Sequence, residues 1–229
     1  MITEDAIDIS DNEGKTALQF AIEKGWTNII EILIRKGANM RHEDYNLNTL
    51  LHCAANYGDV HVLDYLIEHN GVLVNTRNAD GHTPLHIAAQ QGKEEIARFL
   101  IQNAGALTNE KEKEQRTPLH LAAMGNHDRV IMEMMTWLPR VNGELTVDNL
   151  GNTPLHYCSI NQSIDAAVEL LRYGTRQQLH VTNNEGKTAI TILSGNYKEH
   201  LMYLSLYIIY DVESEVPTEE SAGSGEPDV

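Results

Sequence analysis

The chain has 229 residues, room for one large domain or two small ones, and 41% of them are hydrophobic, which is ordinary for a water-soluble protein. Its formal net charge of −16 repels nucleic-acid phosphates and favours basic protein partners. No apolar run reaches the ~18 residues of a membrane helix, and the acidic start MITEDAIDIS lacks the basic and apolar regions of a signal peptide. We therefore expect neither nucleic-acid binding nor membrane insertion.

A threonine recurs every 33 to 36 residues along the chain, and the residues around each threonine are similar. The six segments are GKTALQFAIEKG (14–25), LNTLLHCAANYG (47–58), GHTPLHIAAQQG (81–92), QRTPLHLAAMGN (115–126), GNTPLHYCSINQ (151–162) and GKTAITILSGNY (186–197). Such a period indicates a stacked array in which no unit can bury its apolar face alone.

Each segment has the features of a short helix. Threonine is a favoured helix N-cap, and a proline directly after it, as at Pro84, suits the first helical position. A residue with positive φ is needed where this helix ends, and the sequence supplies it with Gly25, Gly58, Gly92 and Asn126. Gln162 and Tyr197 fit this position less well, so we expect the last two repeats to turn differently.

Apolar residues at helical spacing predict a second helix in five of the units. The predicted segments are 28–36, 61–69, 94–102, 129–138 and 164–172. The sequences DNEG (11–14) and NADG (78–81) suit tight turns between units. The stretch 137–147 lengthens the fourth connection and predicts a longer loop after a helix that ends before Pro139.

This pattern resembles the ankyrin repeat family, whose T-P-L-H-x-A motif is intact at 83–88 and 117–122 and nearly so at 49–54 and 153–158. The resemblance implies an all-α repeat solenoid, an ankyrin array of helix-turn-helix units with β-like finger turns and a concave face that binds proteins. We expect the array to span residues 10–210, with repeats at 10–41, 42–76, 77–110, 111–147, 148–181 and 182–210.

Three further segments lie at the ends of the predicted array. Residues 1–9 are expected to be the remnant of a preceding repeat or an N-terminal lead-in. Residues 198–210 are unusually apolar and fit a docked cap, a surface for self-association or the truncated edge of a longer array. Residues 211–229 contain seven Asp or Glu and no Lys or Arg, which predicts a disordered acidic tail.

The histidines and cysteines of the repeats have structural interpretations. No histidine spacing matches a zinc site, and the resemblance implies that the motif histidines hydrogen-bond the threonine three residues earlier and the neighbouring backbone. These structural residues are Thr49, His52, Thr83, His86, Thr117, His120, Thr153 and His156. Cys53 and Cys158 take alanine-like positions, which indicates small buried thiols in a reducing compartment. We expect no catalytic residue, no metal and no cofactor.

The resemblance places partner-binding residues on the fingers and at the ends of the first helices, where they face the concave groove. Exposed finger positions have no packing reason to be apolar, so their aromatic and aliphatic residues are the expected anchors, unless they pack between adjacent fingers. The predicted set is Tyr45, Asn48, Asn56, Tyr57, His82, Gln90, Gln91, Arg116, Met124, Leu150, Asn152 and Ile160.

The sequence therefore predicts a non-enzymatic adaptor or scaffold that binds a protein partner. One alternative is an inhibitor similar to the IκB type, sequestering a basic transcription-factor segment; the acidic tail is the compositional reason. Others are the recognition arm of a larger enzyme or channel and a microbial effector directed at a host. We expect a cytoplasmic protein, with a nuclear pool as an alternative, and a monomer unless residues 198–210 associate.

Overall fold

The computed structural model describes residues 6–57, 59–70, 73–137, 146–173 and 176–193. Within them the chain forms five consecutive helix pairs and the first helix of a sixth unit. The helices are α1 (Ala17–Glu23), α2 (Thr27–Arg35), α3 (Leu50–Tyr57), α4 (Val60–Asn70), α5 (Pro84–Gln90), α6 (Glu94–Gln102), α7 (Pro118–Met124), α8 (Asp128–Trp137), α9 (Pro154–Asn161), α10 (Ile164–Tyr173) and α11 (Ala189–Ile192), with a 3-10 helix at Arg176–Leu179. The five predicted second helices are confirmed.

The odd-numbered helices are called inner helices here, and each begins at the threonine of the repeat motif. At α5 the Oγ1 of Thr83 accepts the backbone N–H of His86 at 3.4 Å, while the backbone N–H of Thr83 donates to Nδ1 of His86 at 3.2 Å. Pro84 follows as the first helical residue, where a missing N–H has no cost. This reciprocal cap explains why the threonine recurs with a polar residue three positions later.

The turn from an inner helix to the next, outer helix has a left-handed residue. Gly25 and Gly92 have φ of +66° and Asn126 has +55°, as the sequence predicts. Gln162 has φ of +57°, so the expectation that the fifth repeat turns differently is wrong. The turn therefore keeps its left-handed backbone at a non-glycine residue, at a cost of about 1–2 kcal/mol. Two of the residues assigned to such turns, Gly58 and Tyr197, lie outside the described residues.

A single core runs through the stack of repeats. Inner helices pack on inner helices from α1 to α11, and the outer helices α4, α6, α8 and α10 form a second layer. The leucine and alanines of the motif are the contact surface: Leu85 is 1% exposed, and Ala88 and Ala89 are fully buried. Cys158 takes the position of Ala88, but Cys53 stands one residue earlier, at the variable position of the motif, so its assignment to an alanine-like position is wrong. Both are buried free thiols, as predicted.

A tight turn projects before each inner helix and is called a finger here. The six fingers are residues 11–15, 44–48, 78–82, 112–116, 148–152 and 183–187, and in each one the first backbone N–H donates to the last carbonyl at 2.9–3.1 Å. The side chain of the first residue also accepts backbone N–H groups within the finger, as Asp148 does from Leu150 and Asn152. Asp and Asn favour such turns for this reason.

Successive fingers are joined by backbone hydrogen bonds. The second residue of each finger donates its N–H to the carbonyl of the third residue of the preceding finger, as Tyr45 does to Glu13 at 3.1 Å and Asn184 does to Leu150 at 2.9 Å. The fingers therefore form one continuous, regularly spaced ribbon along the array, which fixes the spacing of the side chains that it carries.

Several predictions from the sequence fall outside the described residues. They are most of the long fourth connection with Pro139, the apolar segment 198–210 and the acidic tail 211–229. The repeat boundaries remain predictions. None of the helices in the described part of the chain has the length and apolar character needed to span a membrane.

Candidate protein-binding face

The fingers and the exposed ends of the inner helices share one side of the array, called the finger face here. It is the surface that the sequence assigns to partner binding. Four of its apolar side chains lie in water: Tyr45 is 72% exposed, Leu150 61%, Ile160 48% and Tyr57 44%. Burying such side chains in an interface is favourable at about 25 cal/mol per Å² of apolar surface. The finger face therefore carries exposed apolar surface whose burial by a partner would be favourable.

The other predicted residues of this face differ in solvent exposure. Gln90 and Gln91 are exposed, and Asn56 and Met124 are half-buried. His82 is half-buried as well; its ring stacks on that of His86 with the centroids 5.7 Å apart, and burial lowers its pKa. The glutamine, asparagine and histidine side chains add hydrogen-bonding groups to the finger face.

Two of the predicted contact residues bind their own array instead. Asn152 is only 3% exposed, and its Oδ1 accepts from Nδ2 of Asn183 in the next finger at 3.0 Å. Its assignment as a partner-binding residue is therefore wrong, because the side chain links two fingers. Asn48 is half-buried and makes the equivalent link, accepting from Nδ2 of Asn78 at 2.8 Å and donating to Asp44 at 2.9 Å.

Arg116 is held within its own finger. Its Nε lies 2.8 Å from Oε1 of Glu112, whose side chain is only 2% exposed. Because an ion pair with a buried carboxylate is costly to break, we expect the guanidinium to stay bound to Glu112 rather than move to contact a partner. Only the remaining, partly exposed surface of Arg116 is open to a partner.

The motif histidines have the structural role that the resemblance implies. In each case Nδ1 accepts the N–H of the capping threonine, so the proton is on Nε2, which donates to a carbonyl of the next finger. The Nε2 partners are the carbonyls of His82 for His52, Arg116 for His86, Asn152 for His120 and Lys187 for His156, at 2.9–3.3 Å. Within the described residues, no group of three His, Cys, Asp or Glu could hold a metal ion.

Sequence reasoning missed a periodic signal in the fingers. Asp or Asn stands five residues before the threonine in five of the six repeats, and this position makes the turn of each finger. In the fifth repeat the carboxylate also accepts a hydrogen bond from the hydroxyl of Tyr157 at 2.5 Å. Burial and this carboxylate raise the pKa of Tyr157 to about 12, so the hydroxyl stays protonated and donates.

Carboxylates recur at one position of the finger ribbon. The third residue of a finger is acidic and exposed in four of the six fingers: Glu13, Asp80, Glu114 and Glu185. Glu13 and Glu185 each have a lysine of the same finger beside them, at 3.2 Å and 2.7 Å. Lysines therefore offset the charge of Glu13 and Glu185, and Asp80 and Glu114 are the exposed carboxylates of the third and fourth fingers.

The comparison with protein families agrees with this geometry. The sequence model of ankyrin repeats, in units of three copies, matches residues 1–78, 36–112, 73–137 and 92–180. The chain belongs to the ankyrin repeat family. Ankyrin repeats are protein–protein interaction modules.

Several known proteins are similar to this ankyrin array. A putative ankyrin repeat protein of Acanthamoeba polyphaga mimivirus is 28% identical over 172 residues, which is 75% of this chain and 21% of the viral protein. The RelA-associated inhibitor of Mus musculus is 38% identical over 71 residues, or 31% of this chain and 9% of the mouse protein. Alpha-latrotoxin-Lg1a of Latrodectus geometricus is 36% identical over 74 residues, 32% of this chain and 5% of the toxin.

These relatives are much longer than the part that they share with this array, which spans between 5% and 21% of their length. Among solved structures, the ankyrin repeat domain of Bcl-3, described as a unique member of the IkappaB protein family, superposes with a TM-score of 0.70. It is 22% identical, and the match covers 86% of each chain. This likeness shows a shared fold.

Proposed function

We propose that this ankyrin array is a non-enzymatic adaptor or scaffold that binds a protein partner on its finger face. The observation that carries the proposal is the exposure of Leu150 (61%) and Ile160 (48%) on that face. Both belong to the same repeat, and the equivalent inner-helix position in the fourth repeat is Met124. Together with Tyr45 and Tyr57 in the second repeat they form two apolar contact areas with polar side chains between them.

The polar centre of the finger face separates these two contact areas. Gln90 and Gln91 are exposed there, and the half-buried His82 precedes them in the same repeat. Amide side chains can donate and accept, so they can orient a partner's backbone while the apolar areas supply most of the affinity. A partner that spans both areas would contact four consecutive repeats.

The charge of the face bears on the chemistry of the partner. Asp80 and Glu114 are exposed, and they belong to a chain whose net charge is −16. Lysine or arginine side chains of a partner would be attracted electrostatically to these carboxylates of the fingers. We therefore propose a partner with basic segments.

A second candidate function follows from the same charge. The mouse relative is named for an inhibitor associated with RelA, and the Bcl-3 structure is described as an IkappaB family member. An IκB-like role for this chain would be the sequestration of a basic segment of a transcription factor. It would place the protein in the cytoplasm or the nucleus, reducing compartments that suit the free thiols Cys53 and Cys158.

Site-specific photo-crosslinking tests the binding face. A photoreactive amino acid replaces Ile160 or Tyr45 in the full chain, and the matched controls carry it at Leu73 or Leu107, which are exposed on the connections after the outer helices. The proposal predicts covalent capture of the same protein from Ile160 and Tyr45, with little capture from the controls. Equal capture from all four positions, or capture from the controls alone, would contradict it.

Salt dependence tests whether the partner binds through a basic segment, which both the proposed basic partner and the IκB-like role require. If the captured partner is bound through a basic segment, its affinity falls steeply as ionic strength rises past the point where the Debye length is about 10 Å. Substitution of Asp80→Asn with Glu114→Gln should weaken binding and flatten this dependence. An affinity that ignores salt favours an apolar adaptor contact over sequestration of a basic segment.

A further inference from the structure

The outer helix of the first repeat, α2, exposes an apolar stripe that includes positions buried in the other repeats. Ile29 is 44% exposed, whereas the residues at the same position of the second to fifth repeats are at most 2% exposed. Those residues are Val62, Ile96, Val130 and Ala166. Each of these four residues has another described repeat before it in the array, whereas Ile29 has none among the described residues, and we attribute the difference in exposure to this.

Two neighbours extend the stripe along α2. Trp26 is 54% exposed and Ile32 is 51% exposed, and the three residues follow at intervals of three, which places them on one side of the helix. Leu33 is half-buried, although its equivalents Leu66, Leu100, Met134 and Leu170 are fully buried. We call Trp26, Ile29, Ile32 and Leu33 the end face.

The end face is apolar, whereas a surface in contact with water is normally polar because exposed apolar surface favours aggregation. Ile29 and Leu33 stand at positions that are apolar and buried in the later repeats, whereas Ile32 stands where those repeats have Tyr65, Phe99, Glu133 and Glu169. In the later repeats this surface is covered by outer helices, as α6 packs on α8 and α8 on α10. The shape that fits the end face is therefore an amphipathic helix.

The charges around the end face differ from those of the rest of the chain. Residues 24–41 contain four Lys or Arg and one Glu, although the whole chain has 17 Lys or Arg against 33 Asp or Glu. Lys24 is exposed before the stripe, and Arg35 and Lys36 are exposed at its end. Glu31, 3.6 Å from Arg35, offsets part of this charge, and the exposed Lys24 and Lys36 keep an excess of positive charge at the border of the stripe.

We propose that the end face is a second docking surface, separate from the finger face, for an amphipathic helix of a partner protein whose apolar stripe is flanked by acidic residues. The apolar side of that helix covers Trp26, Ile29 and Ile32, and its carboxylates meet Arg35 and Lys36. A second copy of this chain is the weaker fit for a symmetric contact, because the same face on both copies would oppose Arg35 and Lys36 with themselves.

A peptide pair tests the stated chemistry. The first probe is a fluorescein-labelled helical peptide with leucines at helical spacing and glutamates along both borders, and the second has lysine in place of every glutamate. Fluorescence anisotropy with the full chain should show binding of the acidic peptide and a much weaker response to the basic one. Equal binding of the two peptides, or tighter binding of the basic one, overturns the proposal.

Variants of the protein locate the binding. Ile29→Ser with Ile32→Ser should weaken the acidic peptide roughly tenfold or more, about 1.4 kcal/mol or above. The matched control, Leu73→Ser with Leu107→Ser, removes two exposed apolar residues elsewhere and should bind as the unaltered chain does. Arg35→Glu with Lys36→Glu should exchange the preference between the two peptides. Unchanged affinity in the Ile29 and Ile32 variant overturns the proposal.

Two further measurements distinguish peptide binding at the end face from binding at the finger face and from self-association. Tyr45→Ala with Tyr57→Ala should leave peptide binding intact; loss of binding there would mean that the peptide occupies the finger face and would overturn the proposal. Sedimentation velocity over a range of concentrations tests for a second copy. Self-association that the Ile29 and Ile32 variant abolishes would assign the end face to this chain itself and overturn the proposal.

Discussion

The side-chain amide of Gln19 donates to the backbone carbonyl of Asn48 at 3.3 Å, and its Oε1 accepts the backbone N–H of Thr16 at 3.0 Å. These are the two hydrogen bonds that His86 makes through Nε2 and Nδ1 in the third repeat. A neutral amide and a neutral imidazole therefore have the same role: each caps its own helix and holds the next finger.

The motif histidines should make the array sensitive to acid. Burial lowers the pKa of His86 and His120 from 6.5 to about 4, because the charged ring would lose its water. Between these values the unfolded chain binds more protons than the folded one, so the free energy of unfolding falls as pH falls. Each of these histidines should contribute a loss of about 3 kcal/mol by pH ~4. Urea unfolding across this range measures it.

His86→Gln is the matched variant for this prediction. Glutamine can keep both hydrogen bonds, as Gln19 does, and it has no proton to gain. The variant should unfold with a shallower pH dependence than the unaltered chain below about pH 6.5. If the two pH profiles are parallel, His86 is not a source of acid sensitivity.

Asn152→Ala should lower stability without changing partner affinity. The substitution removes the hydrogen bond between the two side chains and leaves Nδ2 of Asn183 without its acceptor. We expect a loss of about 1–2 kcal/mol in the free energy of unfolding. Asn46→Ala, at an exposed fingertip, should change stability by less than about 0.5 kcal/mol. Thermal unfolding compares the two, and a larger effect at Asn46 would show that the links between fingers do not stabilise the array.

The fourth finger has a residue under backbone strain. Gln115 has φ of +62°, where four other fingers have glycine, and a side chain in this conformation costs about 1 kcal/mol or more. Gln115→Gly should raise the free energy of unfolding by up to about 1 kcal/mol, less the entropy that glycine loses on folding. Gly81→Ala should do the opposite, because φ is +83° there and a Cβ would lie 3.2 Å from the backbone nitrogen of Lys113. Urea unfolding of both variants measures the two changes.

The two thiols should react only when the array opens. Burial raises the pKa of Cys53 to about 12 and also raises that of Cys158. A thiol that is neither ionised nor accessible is a poor nucleophile. A disulfide reagent such as Ellman's should label neither residue in the native chain and both in urea. Rapid labelling of Cys158, which is 1% exposed, would contradict the packing of the fifth repeat.

The regular features of this fold could be predicted from the sequence because each has a local cause. The cap at Thr83, the proline after it and the helical period of 94–102 act within a few residues of each other, and the structure confirms them. Gln162 was predicted wrongly because its φ of +57° goes against the local preference of a residue with a side chain, and that preference is what the prediction used.

The candidate site was less accessible to sequence reasoning, since its geometry depends on contacts about one repeat apart. Asn152 was expected to be exposed because it directly precedes the threonine. Its amide is instead buried and hydrogen-bonded to Asn183, 31 residues later in the chain. The exposure of Ile29 could not be predicted, because an isoleucine at this position of the repeat is expected to be buried. It is exposed because no helix among the described residues covers it.

The central claim is that the finger face binds protein, and the most direct test is an affinity measurement with the partner captured at Ile160. Tyr45→Ala with Tyr57→Ala is compared with Leu107→Ala, which removes an exposed apolar residue from another surface. We predict a loss of about 2 kcal/mol or more for the tyrosine pair, roughly a 30-fold rise in Kd, and no change for Leu107→Ala. An unchanged Kd in the tyrosine variant, with its circular dichroism intact, would contradict this account.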